Sequence, residues 1–144
     1  MHRLALFIAA LAVAASPVVM AQKVQTPEEL DKTMKRIPAA HGATNKAIQA
    51  QAYAEARKQL AIVQAALRDA HNFWVVKKKD DAVKLSQEAL DKAEALARLL
   101  EAPNPDQQTV LAAFKQYAGT CSACHNTYRA QDENQQYIIK PGVL

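Results

Sequence analysis

Cys121-Ser122-Ala123-Cys124-His125 is the stretch of this chain whose residue types and spacing can do chemistry. Cysteines three apart on a helix project from one face, about one turn from each other. Two thiols so placed can add across the two vinyl groups on one edge of a porphyrin. The histidine after the second cysteine is then held beside the iron, where imidazole is a standard axial ligand. C-x-x-C-H is the attachment signature of c-type haem. The chain has 2 cysteines in all, so no disulfide framework competes for them.

Three other chemistries use the same residue types. A structural zinc site needs four ligands. Cys121, Cys124 and His125 would supply three, with His41 or His71 as the fourth. Such sites more often pair two C-x-x-C or H-x-H groups. A thioredoxin-like redox pair belongs beside a βαβ pattern, and no convincing strand precedes Cys121. A local disulfide would distort the helix that the flanking pattern predicts. The haem reading is the favoured one.

Export would fit it, because bacteria attach haem covalently on the far side of the inner membrane. Met1-His2-Arg3 is a short positive start, and Leu4 to Ala15 is an apolar run too short to span a bilayer comfortably. Ser16-Pro17 breaks the run, and Val19-Met20-Ala21 offers small residues for cleavage. The expectation is a signal peptide over 1–21, cleaved after Ala21, and a periplasmic product; a retained membrane anchor is the alternative. No later segment is apolar enough to span a membrane. Eighteen basic residues less Arg3, against 14 acidic, leave the mature chain at +3. That mild charge, with no arginine-rich stretch and few aromatics, does not call for nucleic acid. No catalytic triad, phosphate loop or paired-carboxylate site stands out, so no enzyme activity is expected.

The elements that must position the motif read as helices. Ala, Leu, Lys, Glu and Gln dominate, and apolar residues recur every three or four positions. The first helix starts at Thr26-Pro27-Glu28-Glu29, a capping box with proline at the first helical position. Leu30, Met34 and Ile37 share a face. Pro38 should kink this helix, Gly42 should loosen the same region, and the helix resumes to about Ala50. The second helix covers about 52–71 with the stripe Ala56, Leu60, Val63, Leu67 and Ala70. Asn72 to Lys79 reads as a connection, made sticky by Phe73, Trp74, Val75 and Val76. The third begins near Asp80-Asp81 and carries Ala82, Leu85, Ala89, Ala93, Leu96 and Leu100. Pro103-Asn104-Pro105 ends it and opens the fourth, with Asn104 as cap. That helix carries Val110, Phe114, Tyr117, Cys121, Cys124 and Tyr128 on one face, so a haem there is edged into the interior. Short connections imply an all-α, antiparallel four-helix bundle over 22–131. Residues 132–144 read as an extended tail, with β-prone Tyr137-Ile138-Ile139 and a Pro141-Gly142 stop. The tail could cover a haem edge, join a dimer or fray.

A haem motif late in a four-helix chain resembles the class II c-type cytochromes, the cytochrome c′ family. The matching segment is Phe114 to Arg129, FKQYAGTCSACHNTYR, where C-x-x-C-H is followed after two residues by Tyr128 and then Arg129. Leu30-Asp31-Lys32-Thr33-Met34-Lys35 resembles the low-spin, methionine-ligated branch. The middle helices match only in length and pattern, and the chain departs from shorter family members after Ala130. The resemblance implies that Cys121 and Cys124 are thioether anchors and His125 the proximal ligand. It implies that Arg129 sits near the proximal face or a propionate; an ordinary solvated arginine is the plain alternative.

The sixth coordination position divides that family. One group leaves it open and admits nitric oxide or carbon monoxide. The other fills it with a methionine from the first helix and carries electrons. Met34 is the one methionine left once residues 1–21 are removed, and it lies on the apolar face of the first helix. A core methionine is ordinarily a packing residue; position and uniqueness favour ligation. His41 is a rival ligand, and His71 reads as a surface residue. Histidine–methionine ligation raises the reduction potential and suits one-electron transfer. Lys77-Lys78-Lys79 could steer an acidic redox partner or be a solvated loop. Trp74 could pack on the haem or fill the bundle end. Relatives often dimerise through their first two helices, yet no exposed apolar stripe demands a homodimer here. The resulting expectation is an exported electron carrier with one haem c, ligated by His125 and Met34. A five-coordinate gas-binding member is the alternative, and a zinc-stabilised helical binding module a third.

Overall fold

The computed structural model describes residues 24–144. The expected signal peptide and its cleavage site after Ala21 lie outside the described residues. Five helical segments run in order: α1 (Pro27–Met34), α2 (Ile37–Gln49), α3 (Tyr53–Val76), α4 (Asp80–Leu100) and α5 (Gln107–Tyr128). Two short strands follow, β1 (Arg129–Gln131) and β2 (Tyr137–Ile139). The chain is all-α in class, with tightly packed helices. α3 lies against both α2 and α4, α4 against α5, and α5 returns to α2. Among the described residues no helix is long and apolar enough to cross a membrane.

The expected capping box forms. Thr26 accepts from the Glu29 N–H at 3.2 Å while the Glu29 carboxylate accepts from the Thr26 N–H at 3.0 Å. The expected kink falls two to three residues before Pro38. The chain breaks at Lys35–Arg36, and Pro38 falls in the first turn of α2. That placement costs nothing, because first-turn N–H groups have no helical partner anyway. Gly42 loosens nothing visible; it lies inside α2 as ordinary helix. The connection expected over 72–79 is shorter, because α3 continues to Val76. Phe73 and Trp74 are buried, and that burial outweighs the modest helix propensity of the Phe-Trp-Val-Val run. Asp106, not Asn104, caps α5, accepting from the Thr109 N–H at 2.8 Å.

α2 and α3 end alike. Gln51 and Lys78 sit in the left-handed region at φ 55° and 56°. The following N–H reaches back to Ala47 at 2.9 Å and to Trp74 at 3.2 Å, the closing bond of a Schellman motif. Glycine is the residue that occupies this position without strain. Lys78→Gly is therefore expected to raise stability by about 1 kcal/mol. Gly42→Ala, in open helix with nothing within 4 Å of the added Cβ, should add about 0.5–1 kcal/mol. Urea unfolding midpoints check both, and a fall for either variant would contradict this account of the helix.

The core forms two clusters. One joins Leu60, Val63, Leu96, Val110, Phe114 and Tyr117 through the middle of the helices. The other joins Val24, Leu30, Ala70, Phe73, Trp74, Ala82 and Tyr128 at one end, with Met34, Cys124, Ile139 and Val143 packed on it. Residues 132–144 are not a plain extended tail. β2 pairs antiparallel with β1, Arg129 opposite Ile139 and Gln131 opposite Tyr137. The Asp132 carboxylate accepts from the N–H groups of Asn134 and Gln136 at 2.9 and 2.8 Å, turning the chain as Asp side chains do in loops.

Candidate cofactor cleft

A cleft of about 780 Å³ opens beside the second cluster, within the range of about 300–1,000 Å³ usual for cofactor sites. Met34 comes from the end of α1, and Cys121, Cys124 and His125 from α5. Arg129 stands where α5 gives way to β1. All five line this one cleft. The rest of the wall is largely apolar, with Leu30, Leu67, Trp74, Leu85 and Tyr128 among its residues. Two small residues, Ala70 and Ala89, also line it, and they leave room that larger side chains would fill.

Both cysteines are free thiols and half-buried. Burial raises the Cys121 thiol. Burial, then Cys121 and Asp81, push Cys124 up to about 11. These are protonated thiols in an apolar wall and not the activated thiolate of a nucleophilic or redox cysteine. Burial, then Arg129, lowers the pKa of His125, so its imidazole is neutral at physiological pH, the form that binds a metal. Tyr128, buried beside the motif, is pushed up to about 12 by burial and by the Asp81 carboxylate. The donor set fits a c-type haem: two protonated thiols one turn apart, a neutral imidazole, a thioether and an apolar wall.

Among the described residues, the other two histidines, His41 and His71, do not line the cleft. His41 is half-buried against Phe114 and Tyr117, its ring centroid 4.8 Å from that of Phe114. Its Nδ1 lies 3.4 Å from the Tyr117 hydroxyl. His71, expected at the surface, is half-buried, with Nδ1 3.0 Å from the Ser86 hydroxyl. Neither is brought to the C-x-x-C-H residues as a fourth zinc ligand. Among the described residues no three His, Cys, Asp or Glu side chains gather as a metal group. Arg129 does not point alone into solvent: its guanidinium carbon lies 4.1 Å from the Tyr137 ring centroid. Of the roles the sequence left open for the tail, the structure places Gln136 to Gly142 and Leu144 in the cleft wall. Their β-prone run was visible, but its pairing partner was not.

Burial lowers the His41 pKa below its ordinary 6.5. The unfolded chain takes up a proton near pH 6.5 that the folded chain resists. The stability this neutral ring contributes is fully present above pH 6.5 and is lost as pH falls through the lower folded value. His41→Phe is expected to flatten that acid-side decline, read from denaturation midpoints between pH 5 and pH 8. An unchanged slope would show that His41 is not its source.

No family model, curated protein or solved structure matches the chain.

Proposed function

We propose that this chain is an exported c-type cytochrome that carries one electron at a time. One haem is held through Cys121 and Cys124 and ligated by His125 and Met34. The observation that carries this reading is the convergence of Met34 with Cys121, Cys124 and His125 on one apolar cleft. The haem, when bound, supplies reversible one-electron exchange. The chain's own residues do the rest. Cys121 and Cys124 present thiols for thioether formation, and His125 presents a neutral nitrogen donor. Met34 presents a soft thioether, a donor that raises the reduction potential when paired with histidine. The apolar wall keeps water away from these donors, which raises the cost of charge there.

The helix contacts support the finer architectural reading, an antiparallel four-helix bundle in which α1 and α2 together form the first member. Connections of three residues between α2 and α3 and between α3 and α4 favour antiparallel neighbours. The Lys77-Lys78-Lys79 connection is the docking edge this reading offers to an acidic redox partner. No nucleic acid, membrane span or enzymatic activity enters it.

The deciding experiment exports the protein from cells able to attach haem. Intact mass is expected to give a chain beginning at Gln22 plus one haem. The optical spectrum should be low-spin, with a weak far-red sulfur-to-iron band and no response of the reduced protein to carbon monoxide. A high-spin spectrum that shifts with carbon monoxide would replace the electron carrier with a gas-binding protein. Colourless protein would remove both.

A further inference from the structure

α1 is eight residues long, too short to hold its own position in water. The break at Lys35–Arg36 also separates it from α2. Its place is therefore set by what it leans on, and that is α3, β2 and the start of α2. β1 in turn follows α5 without a gap. One continuous segment thus leaves the helix that carries His125 and ends against the helix that carries Met34.

That segment is fastened at several points. The Lys140 N–H donates to the Tyr128 carbonyl at 2.8 Å. The Lys140 ammonium donates to the Asn126 carbonyl at 2.6 Å. Arg129 stacks on Tyr137, an attraction between a cation and a ring face. Ile139 and Val143 pack on the same cluster as Leu30, Met34 and Trp74. Tyr137, Ile138 and Leu144 are exposed apolar residues that nonetheless line the cleft. An apolar side chain at the mouth of an apolar cleft has a use that a frayed end would not.

We propose that residues 129–144 are a strap that positions Met34 and closes the cleft mouth against water and small ligands. The proposal rests on the reading of His125 and Met34 as the two residues that would ligate the haem iron. Residues of the strap hold α1 in place; they are positioning residues and need not touch the iron.

The test compares three haem-loaded proteins: the full chain, a chain ending at Gln131, and the full-length double variant Tyr137→Ala, Lys140→Ala. The double variant removes two fastenings and keeps Ile139 and Val143, so it decides the matter if the shortened chain does not accumulate. The readouts are the far-red sulfur-to-iron band, carbon monoxide binding to the reduced protein, and helical circular dichroism. The full chain should keep the band and exclude carbon monoxide. The shortened chain should lose the band and bind carbon monoxide with its helices and haem intact. The double variant should take up carbon monoxide at least tenfold faster than the full chain. Retention of the band and exclusion of carbon monoxide in both altered proteins overturns the strap and leaves the electron-carrier reading standing. A full chain without haem, or one that itself binds carbon monoxide, overturns both.

Discussion

With haem bound as proposed, Met34→Ala is expected to turn a low-spin protein that ignores carbon monoxide into one that binds it. Alanine has no donor atom, and Met34 is the one methionine in residues 22–144. No second sulfur can take its place. The far-red band should vanish, and the reduction potential should fall. Axial ligand choice spans about 0.8 V among haem proteins, so a fall on the order of 100 mV or more is the scale to expect. Folding should suffer less. Met34 is half-buried at the edge of its cluster, so truncation should cost about 1–2 kcal/mol, at or below the usual range for a buried methionine. His41→Ala is the control, because His41 packs on Phe114 and Tyr117 and does not line the cleft. It should leave spectrum and potential as they are. Optical spectra with potentiometric titration read both variants. An unchanged Met34→Ala spectrum would make Met34 a packing residue.

The helical frame was legible because its periodicity is simple. Leu60, Val63, Leu96, Val110 and Tyr117 occupy the stripes read from the chain, and all are buried. What the pattern could not give was decided by contacts between distant residues. Pro38 marks a break in the sequence, but whether it kinks a helix or starts one depends on where the preceding turn ends. Asn72 to Lys79 reads as a connection, with Phe73 to Val76 an apolar run whose partner the pattern does not name. Only the cluster with Tyr128 and Leu30 shows why the helix carries on. The C-x-x-C-H spacing suggests a chemistry without any fold, so the sequence alone singles out the cysteines and His125 as candidates, and all three line one cleft. Met34 was a choice between packing and ligation, and its approach to the motif appears only in three dimensions. The hairpin was half legible. Tyr137-Ile138-Ile139 advertises a strand, but its turn holds Gln135 at φ 60° with no glycine or Asn-Gly pair to announce it.

Two core variants should separate the scaffold from the cofactor end. Leu60 and Phe73 are both fully buried, the first in the central cluster and the second in the cluster that backs the cleft. Leu60→Ala should cost about 2–5 kcal/mol and Phe73→Ala about 3–5 kcal/mol. Against a usual total of about 5–15 kcal/mol, either loss brings the fold close to its limit. Their effects on the site should differ. Phe73 packs edge-on against Trp74 at 4.9 Å, and Trp74 meets Tyr128 at 4.7 Å. Trp74 and Tyr128 line the cleft, and Tyr128 lies one turn after Cys124. Removing the Phe73 ring lets Trp74 fall back and loosens the wall behind the motif. Leu60 lies in the other cluster, does not itself line the cleft, and is linked to it through aliphatic neighbours such as Leu67 and Ala89, not through the rings that back the motif. Denaturant midpoints should therefore fall for both variants, while the haem spectrum and potential move only for Phe73→Ala. A Phe73→Ala protein that is less stable but spectrally unchanged would mean that the two clusters are one scaffold and that the cleft wall does not tune the site.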